Sequence, residues 1–113
     1  MSGSVLDVEH LRPLFAGEEG ELRALIEETI TSSATLIDKL HEHRATRNAD
    51  AAKTAHELKG LARTVGAEEL GAISEQAEVA ANGGHWIEFS NAVDRMHIAH
   101  GRLVAAALSL ASS

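Results

Sequence analysis

Residues 51–84 read AAKTAHELKGLARTVGAEELGAISEQAEVAANGG, and their periodicity decides the fold. Ala51, Ala55, Leu58, Ala62 and Val65 recur at three- and four-residue spacing, the mark of a helix with one apolar face. Asn48 stands ahead of this stripe as an N-cap, and Gly66 follows it as a residue suited to the left-handed backbone that ends a helix. A second stripe of Leu70, Ile73, Ser74, Ala77 and Ala81 begins almost at once, and Asn82, Gly83 and Gly84 then form a turn. Two apolar faces joined by so little chain must pack against each other as an antiparallel helical hairpin.

The same spacing extends in both directions. Upstream, Leu22, Leu25, Ile26, Thr29, Ser33, Leu36, Ile37 and Leu40 predict a helix over about residues 19–44. Downstream, Trp86, Phe89, Val93, Met96, His100, Leu103, Ala107 and Leu110 share one face of a last helix that frays in the terminal serines. A shorter helix opens near Asp7 and runs through Leu11, Leu14 and Phe15 to Gly17, with a kink or break at Pro13. No stretch alternates in the manner of a strand. The expected fold is all-α: an antiparallel up-and-down four-helix bundle with a short additional N-terminal helix capping one end. At 113 residues the chain accommodates one domain spanning 1–113, with an ordered core over about 5–111.

Composition narrows the function. The chain has no cysteine, which rules out disulfides and thiolate metal sites and points to a cytoplasmic protein. It also lacks an apolar run of membrane-spanning length, and Met1 to Ser4 do not resemble a signal peptide, so no membrane association is expected. A formal charge of −7 argues against nucleic acid as a partner. Within this acidic protein Lys39, Arg44, Arg47, Lys53, Lys59 and Arg63 form one locally basic segment.

His56 lies in that segment. On a helical projection it points roughly 140° away from the centre of the Ala51–Ala62 stripe, so it belongs to the outer face with Ala52, Lys59, Gly60 and Arg63. An exposed imidazole offers a free nitrogen as nucleophile. Lys59, one turn on, can meet the negative oxygens of a phosphoryl group, and Arg63 extends the positive surface. Gly60 presents no side chain and lets a partner approach closely. His56 is ten residues before Gly66 and Glu78 twelve after, about 15 and 18 Å along antiparallel axes. A carboxylate at that height can accept from Nδ1 and leave Nε2 as the nucleophile. Glu78 is the first candidate and Glu75 the second.

His56-x-Leu58-Lys59-Gly60, with Gly66 and Ala67 ten and eleven residues after the histidine, resembles the signature of histidine-containing phosphotransfer domains, and the resemblance covers nearly the whole chain. It implies a four-helix bundle with the active histidine midway along a helix. It also implies a phosphorelay intermediate that exchanges phosphate with receiver-domain aspartates and communicates with a sensor or hybrid histidine kinase. The position matching Glu78 often supplies the Gln or Glu bound to the histidine. Where this chain has Leu61, many relatives carry a small Ser or Thr. By this resemblance the protein is a phosphoryl carrier with little catalysis of its own, no cofactor, and Mg²⁺ on the partner receiver. It is expected to be a monomer.

Two other readings compete. A helical adaptor could dock a signalling partner through the same face without phosphorylation. A metal-binding bundle is suggested by Asp-x-x-His at 7–10, 38–41 and 94–97. Asp38 and Asp94, however, fall roughly 160° and 120° from their helices' apolar centres, so neither points inward and no metal is expected. His100 should be a hydrogen-bonded core or boundary residue, and His41, His43 and His85 surface residues.

Overall fold

The computed structural model describes residues 4–7, 9, 11, 13 and 18–112, the last three by their backbone alone. Four long helices follow in order: α1 (Glu19–Thr46), α2 (Ala51–Thr64), α3 (Glu68–Asn82) and α4 (Trp86–Ser112). Contacts run α1 to α2, α2 to α3, α3 to α4 and α4 back to α1, with none across either diagonal. The helices therefore close a four-sided, all-α up-and-down bundle.

The inner stripes account for the core. In α1 Leu22, Ile26, Thr29, Ser33, Leu36, Ile37 and Leu40 are buried, and only Leu25 of the expected set stays half-buried at the edge. All five expected positions of the α2 stripe are buried, with Leu58 fully enclosed. Removing a side chain such as Leu58 leaves a cavity worth about 2–5 kcal/mol. In α3 Leu70, Ile73, Ser74 and Ala77 are buried as expected, and the last buried alanine is Ala80, with Ala81 half-buried against the core. From α4 come Phe89, Val93, Met96 and Leu103, as expected, together with the small Ala92 and Ala99. Trp86 and Ala107 pack at the margin, and the side chain of Leu110 lies outside the described residues.

The turns explain themselves locally. Arg47 ends α1 in the left-handed region at φ 51°. Asn48 is not the cap of α2: Asp50 takes that position, and the Asn48 side chain accepts from the Asp50 N–H at 2.7 Å, shaping the turn just before it. Gly66 adopts φ 69°, as its place after the stripe suggests. A second constraint acts there, since a Cβ on Gly66 would come within 2.6 Å of Asp7. The N-terminal stretch crosses at this turn, with the Glu69 N–H bonded to the Ser4 carbonyl at 3.0 Å and Leu11 buried. Glu9, Leu11 and Pro13 are helical, while Leu14, Phe15 and Gly17 of the expected first helix lie outside the described residues. Ser4 and Asp7 thus lie against the α2–α3 turn.

Candidate functional site

His56 sits in the second turn of α2, flanked by the buried Ala55 and the exposed Glu57. Helical phase alone turns it outward, and its side chain is 65% exposed. Across the groove α3 runs antiparallel, with Ser74 and Ala77 facing the core. That phase brings Glu78 to the rim beside α2. Its Oε2 lies 3.0 Å from His56 Nδ1. An ionised carboxylate can only accept, so Nδ1 carries the proton, and in the neutral ring Nε2 keeps its lone pair.

The other oxygen of Glu78 is also engaged. Lys59 Nζ donates to Oε1 at 2.7 Å. Lys59 is thus not on the open outer face where its helical projection put it, for its side chain is only 16% exposed. Its phase permits this: Lys59 is four residues after Ala55 and three before Ala62, both on the inner stripe, so its stem can lie along the α2–α3 seam, where the Glu78 carboxylate holds it. Within the pair, the hydrogen bond from Lys59 is the leading cause that holds the Glu78 carboxyl below the ordinary carboxylate range; partial burial opposes it, and the bond from His56 adds to it.

Glu75, the second candidate for the histidine, does not reach it. It stands 3.6 Å from Arg63 instead, in an exposed pair of the kind worth about 0–1 kcal/mol. Arg63 lies across α3 rather than projecting past His56, and a Cβ on Gly71 would come within 3.3 Å of its Cγ. Gly71 is thus a buried seat for an arginine stem, a role that follows only from the helix pairing. Gly60 is exposed, and a Cβ there would meet nothing within 4 Å, so close helix packing does not account for this glycine. Ala52, one turn before His56, is half-buried, and so is Leu61, against the core.

Among the described residues, half of the six cations of the basic segment are paired with carboxylates of the two following helices. Arg44 pairs with Asp94 at 2.7 Å, Lys59 with Glu78 and Arg63 with Glu75. His41 and His43, expected as plain surface residues, are half-buried and engaged. His41 Nδ1 accepts from Arg44 at 2.8 Å and its Nε2 meets that of His97, while His43 bonds Thr54 at 3.2 Å. Nothing in a single helix's phase announces these cross-helix contacts. His100 is half-buried and bonds the Ile30 carbonyl at 3.2 Å, as its boundary position suggests. Asp38 and Asp94 face outward, and no group of three or more metal-ligating side chains occurs among the described residues. Nor, among those residues, is any helix long and apolar enough to cross a membrane.

Comparison with known proteins agrees with this architecture. Among curated proteins none matches the chain. The crystal structure of histidine-containing phosphotransfer protein B from Pseudomonas aeruginosa PAO1 superposes with a TM-score of 0.86 at 22% identity, covering 96% of this chain and 95% of that one. The likeness extends over the whole bundle and establishes the fold. Residues 22–106, well over half of the chain, match the Hpt domain family. Members of that family are phosphocarriers rather than kinases, and their partners are kinases and receiver domains. The chain belongs to the Hpt domain family, the histidine phosphotransfer intermediates of phosphorelays.

Proposed function

We propose that His56 is the phosphoryl acceptor and that its Nε2 exchanges the group with an aspartate of a response-regulator receiver domain. The single observation behind this reading is the one-sided engagement of the ring: Nδ1 is held by Glu78 at 3.0 Å while the side chain is 65% exposed. An imidazole in that state has one nitrogen oriented and the other available as a nucleophile. Glu78 orients the ring, Gly60 gives the partner room, and Ala52, Arg63 and Glu75 line the surface it meets. The Mg²⁺ and the acids that hold it belong to the receiver, so the chain needs no cofactor and contributes little catalysis beyond presenting the histidine. We further read the chain as a single cytoplasmic unit over 1–113 that works as a monomer and does not bind nucleic acid.

The test is incubation with a receiver phosphorylated on aspartate, followed by analysis of the label. Acid-labile, alkali-stable phosphate on the wild-type protein and none on His56→Gln is the expected result. Equal labelling of the variant would refute the assignment, and no labelling of either would favour a docking adaptor.

A further inference from the structure

Lys59, Glu78 and His56 stand in series across the α2–α3 seam. Lys59 Nζ is 2.7 Å from Oε1 of Glu78, and the other oxygen of the same carboxylate is 3.0 Å from His56 Nδ1. We infer that Lys59 is a positioning residue that acts on His56 through Glu78, not by meeting the transferred phosphoryl group. The inference rests on His56 being the acceptor and adds a division of labour to it.

Geometry and burial carry the argument. A glutamate at a helix rim has several rotamers of similar energy, and one hydrogen bond to an exposed ring selects weakly among them. A second bond, from the next turn of α2 and to the other oxygen, fixes both ends of the carboxylate. Lys59 is suited to this because its stem is buried along the seam and its side chain is only 16% exposed. To reach a phosphoryl group on Nε2 it would leave that seam, and the carboxylate at the rim would lose its strongest partner. Glu78 responds as a paired group should, with its carboxyl held below the usual range chiefly by the bond from Lys59.

The transfer step shows what the positioning achieves. The Nε2 lone pair attacks phosphorus, the P–Nε2 bond forms, and the bond to the receiver aspartate breaks with its electron pair remaining on the carboxylate oxygen. The ring keeps the Nδ1 proton and becomes cationic, with Glu78 as its acceptor. In the reverse direction an aspartate oxygen attacks phosphorus, the P–Nε2 pair returns to Nε2, and a neutral imidazole is left. No proton enters or leaves in either direction, provided the Nδ1–H tautomer is set beforehand. Setting it is the task assigned to the Lys59–Glu78 pair.

Two measurements on the full chain decide the matter, with helicity monitored by circular dichroism. In the unphosphorylated protein, ¹⁵N shifts of the His56 ring should report Nδ1–H for wild type and movement toward Nε2–H for Lys59→Met, which keeps the apolar stem. Lys59→Arg should restore the wild-type signature. In transfer from a phosphorylated receiver, Lys59→Met should slow the wild-type reaction about tenfold, the scale of one lost hydrogen bond to a charged group. In a Glu78→Ala background it should cost nothing further. An unchanged tautomer, or the same loss in both backgrounds, would overturn the inference and return Lys59 to the phosphoryl group. Label that survives His56→Gln would instead sink the acceptor assignment, and the tautomer measurement, made without phosphate, would still decide the lysine's role.

Discussion

Of the histidines that reach across to a neighbouring helix, His56 and His41 end in opposite states. His56 on α2 spends Nδ1 on Glu78 of α3 and turns the rest of its ring to solvent. His41 on α1 spends both nitrogens: Arg44 donates to Nδ1 at 2.8 Å, and Nε2 meets Nε2 of His97 on α4. Since arginine can only donate, the neutral His41 ring carries its proton on Nε2 and gives it to His97. Arg44 is itself tied to Asp94 at 2.7 Å, which closes the chain of contacts. One arrangement leaves a lone pair free on an oriented ring. The other consumes every polar valence and joins two helices. Being a histidine in a helical bundle therefore confers no reactivity; what matters is which nitrogen remains unspent.

The widest separation between the two sites should appear in labelling. His56→Gln is expected to abolish uptake of phosphate, whereas His41→Gln and His97→Gln should label at the wild-type level in the same receiver assay. Uptake lost in the His41 or His97 variant, with helicity intact, would break the contrast. A step down in size is Glu78→Ala, which keeps His56 and its exposure but removes the acceptor at Nδ1. Transfer should fall about tenfold while full labelling is still reached at long times, as a quenched time course would show. A wild-type rate in this variant would mean that orienting Nδ1 is irrelevant.

What single-chain patterns could reveal follows from this contrast. The stripe from Leu22 to Leu40 and the Gly66 turn depend on spacing within one helix, so helix order, bundle topology and the outward aim of His56 were readable. Glu78 was reachable because a tight hairpin converts residue count into height. Cross-helix partners chosen by rotamer and long-range packing were not readable. The Arg44–His41–His97 chain spans α1 and α4, whose neighbourhood emerges only when the bundle closes. The burial of Lys59 was not readable for a subtler reason: it lies at the boundary of the α2 stripe, where the phase allows either solvent or seam. A carboxylate across the seam decided the question. Gly71, buried beneath the Arg63 stem, belongs to the same class.

The paired site should also respond to pH in a way the acceptor site does not require. Burial foremost, then His97 and Arg44, lower the His41 pKa from 6.5, against the opposing pull of Asp94 and Asp38. A base with a depressed folded pKa takes up its proton first in the unfolded chain, so its contribution to stability is intact above 6.5 and is lost as pH falls below it. Urea midpoints should drop between neutral and mildly acidic pH, and His41→Gln should drop less over the same window. An identical drop in both proteins would remove His41 as a cause. Glu78 runs in the acidic direction: its stabilising contribution persists above 4.5 and fades only as pH falls through its lowered folded pKa, so the bond to His56 outlasts the pH range that weakens His41.

The smallest expected effect concerns access. Arg44 lies against the ring of His41, whereas the residue one turn beyond His56 is Gly60, exposed and with nothing within 4 Å of a notional Cβ. A glycine in mid-helix lowers stability relative to alanine, so Gly60→Ala should stabilise the fold by about 0.5–1 kcal/mol. Transfer should change little, because a methyl group barely alters the surface. Gly60→Leu separates helix propensity from access: it keeps the stability gain but places bulk where a partner must approach. KM for the receiver should rise while the final extent of labelling stays the same. If Gly60→Leu showed the stability gain together with a wild-type KM, the glycine would play no part in admitting a partner, and the openness of His56 would rest on helical phase alone.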